Sequence, residues 1–384
     1  MSRAAYAQGR KALRLSWLRV TRMVRKELRQ LFRDAKTKRV IFVSPVIQLI
    51  LFGYAVNTDV RNVATALVDH DRTPESRVLV DAFTASGYFR IATRSDRPAD
   101  LGLALDHGRA VVGLEIPAGY SRDLAAGRSP SVQLLVDGTN SNTATVAQGY
   151  ATRIVQQLGA ELVAASTGVA PAGIDLRARA WFNPSLESRV YNVPAVIGVI
   201  VLLMCLLLTS MAVVREREVG TLEQLLVSPL SAGELMLGKT IPVAGIALVQ
   251  MAIVTTVALL WFDVPLRGPV PTLLLAAALF ILAGLSFGLF ISTISATQQE
   301  AFLAMFLFLL PAIILSGFLY PIDTMPEIFQ TLTLANPLRH FLEIVRGIFL
   351  RGAGIAELWV QFAVLSGMAA AGLTVATRRF RATL

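Results

Sequence analysis

Two adjacent stretches decide the fold: residues 193–214 read VPAVIGVIVLLMCLLLTSMAVV, and residues 215–229 read REREVGTLEQLLVSP. The first carries no charge and has the roughly 20 residues that a helix needs to cross about 30 Å of hydrocarbon. The second is charged and prone to form a helix, and a further apolar run begins soon after it, at residue 241. The sequence therefore predicts that the chain leaves a membrane, displays the charged segment and returns. A segment displayed in this way is suited to contact a partner.

Five further runs share the length and the lack of charge of residues 193–214. They are Val40–Val56, Ile241–Phe262, Val270–Ile294, Ala301–Leu319 and Leu358–Val375. A helix of a soluble protein seldom stays apolar on every side over such a length, and apolar residues make up 54% of the 384 residues. The predicted fold class is an α-helical membrane protein with six transmembrane helices, numbered here as spans 1 to 6.

The net charge of +10 is concentrated before the first span. Thirteen lysines and arginines lie between Arg3 and Arg39, against two acids, Glu27 and Asp34. Such a block keeps its side of the first span in the cytoplasm and attracts anionic lipid by about 1 kcal/mol per basic residue. We therefore expect anionic lipid, and not nucleic acid, to be the partner of this charge.

Residues 1–39 also show a helical pattern. Apolar residues recur there at intervals of three and four, with basic residues largely between them. These apolar positions are Leu13, Trp17, Val20, Val24, Leu28 and Leu31. The pattern predicts an amphipathic helix that lies in the cytoplasmic interface of the membrane.

The charges at the other end of the chain complete the predicted topology. A second basic group follows the sixth span, in residues 378–384. With an even number of spans, both termini are then cytoplasmic. This orientation predicts that Ser295–Glu300, which we call the inner turn, is cytoplasmic and that the connection 320–357 is extracytoplasmic.

Residues 57–192, between the first two spans, are polar and numerous enough to enclose a hydrophobic core of their own. Their strand and helix patterns alternate, which predicts an inserted α/β domain with some parallel pairing. The predicted strands are Ala64–Asp69, Ala110–Ile116 and Ser131–Asp137, and the predicted helices are Pro74–Ser86, Pro98–His107 and Thr143–Val163. Thr73 and Asp96 lie near the expected helix caps. The topology places this domain on the extracytoplasmic side.

Catalytic and metal sites find little support in these residues. Asp69, Asp71, Asp137 and Asn140 follow predicted strands, where such residues usually serve as turn and cap residues. His70 and His107 are too scattered for a metal motif. The single cysteine, Cys205, lies in the second span and excludes an intrachain disulfide.

One motif match points to nucleotide binding. Residues 233–240, GELMLGKT, fit the phosphate-binding pattern G-x-x-x-x-G-K-[ST]. The chemistry requires a buried strand before the loop and a soluble helix after it, whereas an apolar span follows here. We predict instead an interfacial helix whose Lys239 extends to the lipid headgroups. No cofactor is expected to bind to this chain.

The charged segment itself carries a more specific pattern. Glu218, Gly220, Thr221, Glu223, Leu225, Ser228 and Pro229 fit E-x-G-T-x-E-x-L-x-x-[ST]-P, which resembles the first coupling segment of type-2 ABC exporter permeases. Thr221 and Gln224 also fit a capping box. Because the six spans contain no Asp, Glu, Lys, Arg or His, they offer no proton or sodium relay. Energy for transport would therefore come from outside the spans.

The resemblance continues, in the same order, along most of the chain. Matching pieces are Lys26–Asp34 for the interfacial helix, Ala64, Leu67–Asp69 and Val136–Asn140 for the outer domain, Trp181–Pro184 before the second span, Ser295, Gln298, Gln299 and Ala301 for the inner turn, and Asn336–Pro337 with Arg346–Gly347 for the last outer connection. The large domain after the first span resembles the multidrug-export branch of the family.

The resemblance implies a permease of the bacterial inner membrane that exports a lipophilic small molecule or drug. It implies a second permease copy, identical or a close paralogue, and ATPase subunits from another polypeptide that carry ATP and magnesium. A periplasmic membrane-fusion protein is a further expected partner. ATP-driven closure would push on the segment around Glu216–Pro229 and tilt the spans. This segment is part of residues 215–240, which we call the coupling segment. Gly284 and Gly288 would be a close-packing pair.

Two groups of residues would contact the ATPase. In the coupling segment they are Arg215, Glu216, Glu218, Gly220, Thr221, Glu223, Leu226, Ser228 and Pro229, and in the inner turn they are Gln298, Gln299 and Glu300. Three alternatives remain open. One is a non-transporting transmission or anchoring protein between a cytoplasmic ATPase and a periplasmic partner. The others are a membrane-bound enzyme with its site in the outer domain, and a secondary transporter.

Overall fold

The chain divides into two compact units, Met1–Asn57 with Arg179–Leu384, and Thr58–Ala178. A computed structural model of the protein describes residues 3–33, 35–56, 60–167, 182–183, 187–220 and 231–383. In chain order its elements are α1 (Arg3–Arg33), α2 (Ala35–Ala55), β1 (Val63–Asp69), α3 (Pro74–Ala85), β2 (Phe89–Ser95), α4 (Ala99–Asp106), β3 (Val112–Ile116), α5 (Tyr120–Ala125), β4 (Gln133–Val136), α6 (Ser141–Thr167), α7 (Ser188–Val219), α8 (Ala232–Trp261), α9 (Val270–Ile294), α10 (Gln298–Ile314), α11 (Glu327–Thr333), α12 (Pro337–Arg346) and α13 (Trp359–Thr383). A 3₁₀ turn at Ile322–Thr324 precedes α11, and a π turn at Gly347–Arg351 follows α12.

Five helices in the described ranges are long and apolar enough to cross a membrane. Their apolar stretches are Lys38–Ala55, Ser188–Val219, Gly233–Trp261, Val270–Ile294 and Trp359–Arg379. The predicted fifth span, Ala301–Leu319, extends beyond the end of helix α10, which stops at Ile314. Gly317 then adopts a left-handed conformation with φ of 78°. Helix α10 is apolar but has only 17 residues. The count of six spans therefore stays a prediction.

Helices α7 and α8 extend well beyond the predicted spans at their charged ends. Helix α7 continues past Val214 through the charged residues to Val219, so the charged segment begins as the last turn of the same helix. Helix α8 begins at Ala232, well before the predicted start at Ile241. The charged end of α7 is thus rigidly continuous with the apolar helix.

Helix α7 lies at the centre of the helical unit, where it packs against α2, α8, α9, α10 and α12. Its closest neighbour is α9, through two glycines. A Cβ atom at Gly284 would lie 3.3 Å from the Cβ of Cys205, and one at Gly288 would lie 1.8 Å from Oγ1 of Thr209. The close-packing role predicted for both glycines is confirmed, because only hydrogen fits at Gly288.

The second unit contains a four-stranded sheet of order β2-β1-β3-β4. Strand β1 is parallel to both β2 and β3, and β4 is antiparallel to β3. Helices α3 and α6 cover one face of the sheet, where Leu67 and Phe83 belong to the larger core, and α4 covers the other face, where Val68 packs with Leu101. Neighbouring residues of β1 thus enter opposite cores, as the two-residue period of a strand requires.

The sequence interpretation named three of these strands and omitted β2 and α5. Strand β2 lies at the edge of the sheet and alternates buried or half-buried residues with exposed ones such as Arg90 and Arg94. Thr73 caps α3 as predicted, through a reciprocal capping box with Ser76. Asp96 does not cap α4, because Pro98 occupies the N-cap position. The carboxylate of Asp96 accepts a hydrogen bond from Arg72.

Candidate functional site

The coupling segment begins as the last turn of α7, which ends in a glycine cap. Gly220 has a φ of 74°, and its N–H donates to the carbonyl oxygens of Arg217 and Glu216. A left-handed residue at this point is the common way to end a helix, and glycine adopts it without steric cost. Arg215 is exposed on this turn. The predicted contacts Thr221, Glu223, Leu226, Ser228 and Pro229, and the proposed capping box with Gln224, lie outside the described residues.

Hydrogen bonds connect this last turn to the inner turn. Glu218 accepts from the backbone N–H of Gln298 at 2.8 Å through Oε1, and from the side-chain amide of Gln298 through Oε2. Arg217 donates from Nη1 to the carbonyl oxygen of Ser295 at 2.8 Å. The structure thus brings together two residues predicted on separate grounds, Glu218 and Gln298. Hydrogen bonds accepted by a carboxylate or donated by a guanidinium are stronger than those between neutral groups.

The other two predicted residues of the inner turn do not join this contact. Gln299 is exposed. Glu300 accepts from the N–H of Ala296 at 2.7 Å, and its own N–H donates to Oγ1 of Thr297 at 3.2 Å. These bonds cap the start of α10. Glu300 therefore stabilises the shape of the inner turn, while Gln298 holds it against α7.

A buried ion cluster lies on the opposite side of the last turn of α7. Nζ of Lys239 is 2.8 Å from Oε1 of Glu216 and 3.5 Å from Oε1 of Glu27, and it donates to the carbonyl oxygen of Ala212 at 3.0 Å. Lys26 lies 3.7 Å from the same oxygen of Glu216. We call Glu27, Glu216 and Lys239 the Lys239 cluster. It joins α1, α7 and α8.

The Lys239 cluster corrects the prediction that this lysine extends to the lipid headgroups. Its side chain is only 3% exposed and ends between carboxylates contributed by two other helices. The sequence interpretation also gave no role to Glu27 or Arg217. One signal was available in the sequence: Glu27 lies three residues after Val24 and seven after Val20, two apolar positions of the predicted amphipathic helix. An acid on the packed face of a helix is expected to have a partner.

The phosphate-binding match at residues 233–240 has no loop geometry. The whole motif is helical, within α8, whose start is capped by a reciprocal bond pair between Ser231 and Glu234. Its N–H groups after the first turn are used within the helix and cannot wrap a phosphate. Gly238 instead allows α1 to pack closely against α8. A Cβ atom at this position would lie 2.5 Å from Cγ of Met23. The motif glycine and lysine therefore serve contacts between helices.

The carboxylates at the strand ends of the second unit are engaged in turns and caps, as predicted. Asp69 accepts from the N–H groups of Asp71 and Arg72 and from Oγ of Ser76. Asp137 accepts from the N–H and hydroxyl of Thr139, and Asn140 accepts from the N–H of Thr143. A crevice of ≈ 430 Å³ borders β1 and β2, and it includes Asp69, the Arg72–Asp96 pair and two further arginines, Arg77 and Arg94. Among the described residues, no three His, Cys, Asp or Glu side chains form a metal-binding group.

Asp71 holds the start of α5 in place. Its carboxylate accepts from the N–H groups of Gly119 at 2.9 Å and Ser121 at 3.1 Å. Burial alone would raise the pKa of Asp71, but the bonds from Thr73, Ser121 and Gly119 outweigh it and leave the pKa below its usual value. A depressed pKa means that the carboxylate stabilises the folded unit above the pKa of the unfolded chain, and that this is lost as pH falls through the folded pKa.

We expect Asp71→Asn to loosen α5, because the amide places a donor against N–H groups. Exchange of the Gly119 and Ser121 amides with deuterium should accelerate about fivefold to tenfold at pH 7, since such a bond contributes about 1 kcal/mol or more. Asp106→Asn, at an exposed position of α4, should leave exchange unchanged. The difference in melting temperature between wild type and Asp71→Asn should also narrow as pH falls through the lowered pKa of Asp71. Equal exchange in the three proteins would contradict this role.

The helices of membrane length define the chain as a multi-pass membrane protein. Hydrogen bonds and ion pairs join these helices at the charged end of α7. Residues 39–378 match the family of ABC-2 family transporter proteins, and the chain belongs to that family as a type-2 ABC permease.

Curated relatives cover nearly the whole chain. The probable multidrug ABC transporter permease YbhR of Escherichia coli (strain K12) is 34% identical over 341 residues, which are 89% of this chain and 92% of that protein. The probable multidrug ABC transporter permease YbhS of the same organism is 32% identical over 364 residues, 94% of this chain and 96% of the relative. The inner membrane transport permease YhhJ, also from this organism, is 32% identical over 367 residues with the same coverage.

Proposed function

We propose that this permease is the membrane-spanning subunit of an ATP-driven exporter that moves a lipophilic small molecule outward. ATP and magnesium bind to a separate ATPase subunit, and two permease copies form the complete translocation unit. Membership of the ABC-2 family supports the ATPase and the second copy. The names of the relatives, two of them probable multidrug permeases, support the class of substrate.

The observation that carries this proposal is the double attachment of the last turn of α7. Glu218 and Arg217 connect this turn to the inner turn, and Glu216 connects it to α8 and α1. A partner that displaces this turn therefore moves several helices together, because charge-assisted bonds and a continuous helix transmit the displacement. We propose that the ATPase binds the coupling segment and the inner turn, at the residues named from the sequence.

The proposed location is the bacterial inner membrane, with both termini in the cytoplasm. The name of one relative, an inner membrane transport permease, supports this location, and the basic residues around α1 support the orientation. Arg22, Arg25 and Arg29 are exposed on α1 and suit contact with anionic lipid headgroups. The α/β unit then lies in the periplasm, where a membrane-fusion protein is its proposed partner.

A transport assay in proteoliposomes tests this function. The permease is purified with the ATPase that accompanies it and supplied with ATP, magnesium and a lipophilic fluorescent dye. Glu218→Ala should retain ATP hydrolysis but lower dye movement about tenfold, because changes in a coupling contact are worth up to about 2 kcal/mol. Glu327→Ala, an exposed glutamate on α11, is the matched control and should transport normally.

The outcomes separate the proposal from its alternative. Wild-type dye movement that depends on ATP supports an exporter. ATP hydrolysis by wild type without movement of any dye would instead support a non-transporting transmission protein. Full transport by Glu218→Ala would show that the last turn of α7 does not carry the coupling.

A further inference from the structure

The Lys239 cluster occupies a place where ionised groups are costly. Lys239 is 4% exposed, and the side chains of Glu216 and Glu27 are 13% and 16% exposed. An ammonium group removed from water is stabilised only when carboxylates and carbonyl oxygens replace its hydration. Glu216, Glu27 and the carbonyl of Ala212 supply these partners at 2.8, 3.5 and 3.0 Å. Lys239 of α8 therefore depends on carboxylates of α1 and α7 to compensate its charge, and Lys26 of α1 lies 3.8 and 3.7 Å from the same two carboxylates.

Apolar contacts next to the cluster strengthen this connection. Met23 and Val20 of α1 are buried, and Met23 packs with Leu235 and Met236 of α8. The fit is tight at Gly238, where a Cβ would approach Cγ of Met23 to 2.5 Å. Helix α1 is therefore more than a helix resting on the membrane surface. It is packed against α8 and joined by charge to the last turn of α7.

We propose that Lys239 is the positioning residue that makes α1, α8 and the last turn of α7 move as one body. This rests on the proposed exporter function. When the ATPase displaces the last turn of α7, Glu216 pulls Lys239, and Lys239 carries Glu27 and α1 with it. The amphipathic helix is thus a moving part of the coupling mechanism. The positive charge and length of Lys239 are required because this side chain joins α8 to carboxylates on both α1 and α7.

The first test compares substitutions at one position in the proteoliposome assay. Lys239→Met keeps the length of the side chain but removes the charge, and should lower dye transported per ATP hydrolysed about tenfold. The ATP concentration for half-maximal hydrolysis should stay the same, because the nucleotide site is on another chain. Lys239→Arg, which keeps the charge, should recover at least about half of the wild-type ratio. Lys38→Met, at an exposed lysine of α2, is the control for loss of charge alone.

The second test measures motion without reference to transport. Spin labels are placed at Arg29→Cys on α1 and Ala296→Cys in the inner turn, both exposed positions. Cys205 is 1% exposed and should remain unlabelled. The distance between the labels is compared with and without magnesium, ATP and vanadate, in the complex with the ATPase. In wild type and in Lys239→Arg, the distance between the labels should be the same with and without magnesium, ATP and vanadate, because α1 moves together with α7. With Lys239→Met, it should change or broaden.

Each result has one meaning. Equal coupling ratios in wild type and Lys239→Met, or an unchanged label distance in Lys239→Met, would overturn the positioning role. Failure of Lys239→Arg to recover coupling would show that a positive charge at this position is not sufficient, which contradicts the expected rescue. If wild type does not transport the dye, the proposed function fails, and the label distances alone then decide whether Lys239 unites the helices.

Discussion

Gly220→Val should abolish coupled transport while leaving the permease inserted and folded. Gly220 ends α7 with a φ of 74°, a conformation that costs an ordinary residue roughly 1–2 kcal/mol and a β-branched residue more. A Cβ at this position would meet no heavy atom within 4 Å. The effect therefore comes from the backbone alone: valine favours another conformation and redirects the rest of the coupling segment. Dye transported per ATP hydrolysed is the quantity to measure.

Gly220→Asn is the matched variant, because asparagine adopts left-handed conformations more readily than other residues with a side chain. It should keep at least about half of the wild-type ratio. Both variants should reach the membrane in wild-type amounts, since the position is exposed. If Gly220→Val couples as well as Gly220→Asn, the geometry of this helix end does not matter for coupling.

Gly288→Ala should have the largest effect on folding. The new Cβ would lie 1.8 Å from Oγ1 and 2.9 Å from Cβ of Thr209, and 3.3 Å from the carbonyl oxygen of Leu206. Rotation of Thr209 moves Oγ1 but not Cβ, so helices α7 and α9 must separate. Overpacking of this kind costs about 1–3 kcal/mol. We expect a fall in the melting temperature and in the yield of monodisperse protein, measured by fluorescence-detected size exclusion after heating.

Two further variants make this result specific. Gly245→Ala lies on α8, where a Cβ would meet nothing within 4 Å, and should be neutral or stabilising because alanine favours helices by up to about 1 kcal/mol. Thr209→Gly combined with Gly288→Ala removes the clashing atoms and should restore part of the lost stability. Normal stability of Gly288→Ala alone would refute the close approach of α7 and α9.

The sequence predicts well what depends on local chemistry. Uncharged runs such as Val270–Ile294 can only be membrane-length helices, and this helix has the predicted bounds. Thr73 before Pro74 predicts a helix start because both residues suit the first turn. Glycines at an interval of four in an apolar helix predict close packing, which Gly284 and Gly288 show.

The rest depends on partners far away in the chain. A span that is apolar on all sides gives no indication of which side is buried, so the central position of α7 was not predictable. Trp17 follows the amphipathic pattern of α1 but is 68% exposed, whereas Met23 is buried against α8. Lys239 was predicted to extend to the lipid headgroups because its partners, Glu27 and Glu216, are remote from it in sequence. Edge strand β2 was missed because its arginines obscured the apolar alternation.

Helix α7 is a single helix of 32 residues from Ser188 to Val219, about 48 Å long at 1.5 Å per residue. The direction in which each side chain points around the helix axis is therefore fixed from one end to the other. Cys205 faces Gly284, and Glu218 faces Gln298. The number of helical residues between Cys205 and Glu218 fixes the relative directions of these two contacts. Because each residue turns a helix by about 100°, the register between the packed core and the charged end leaves no room for an inserted or deleted residue. The length of this helix is thus as much a functional parameter as its composition.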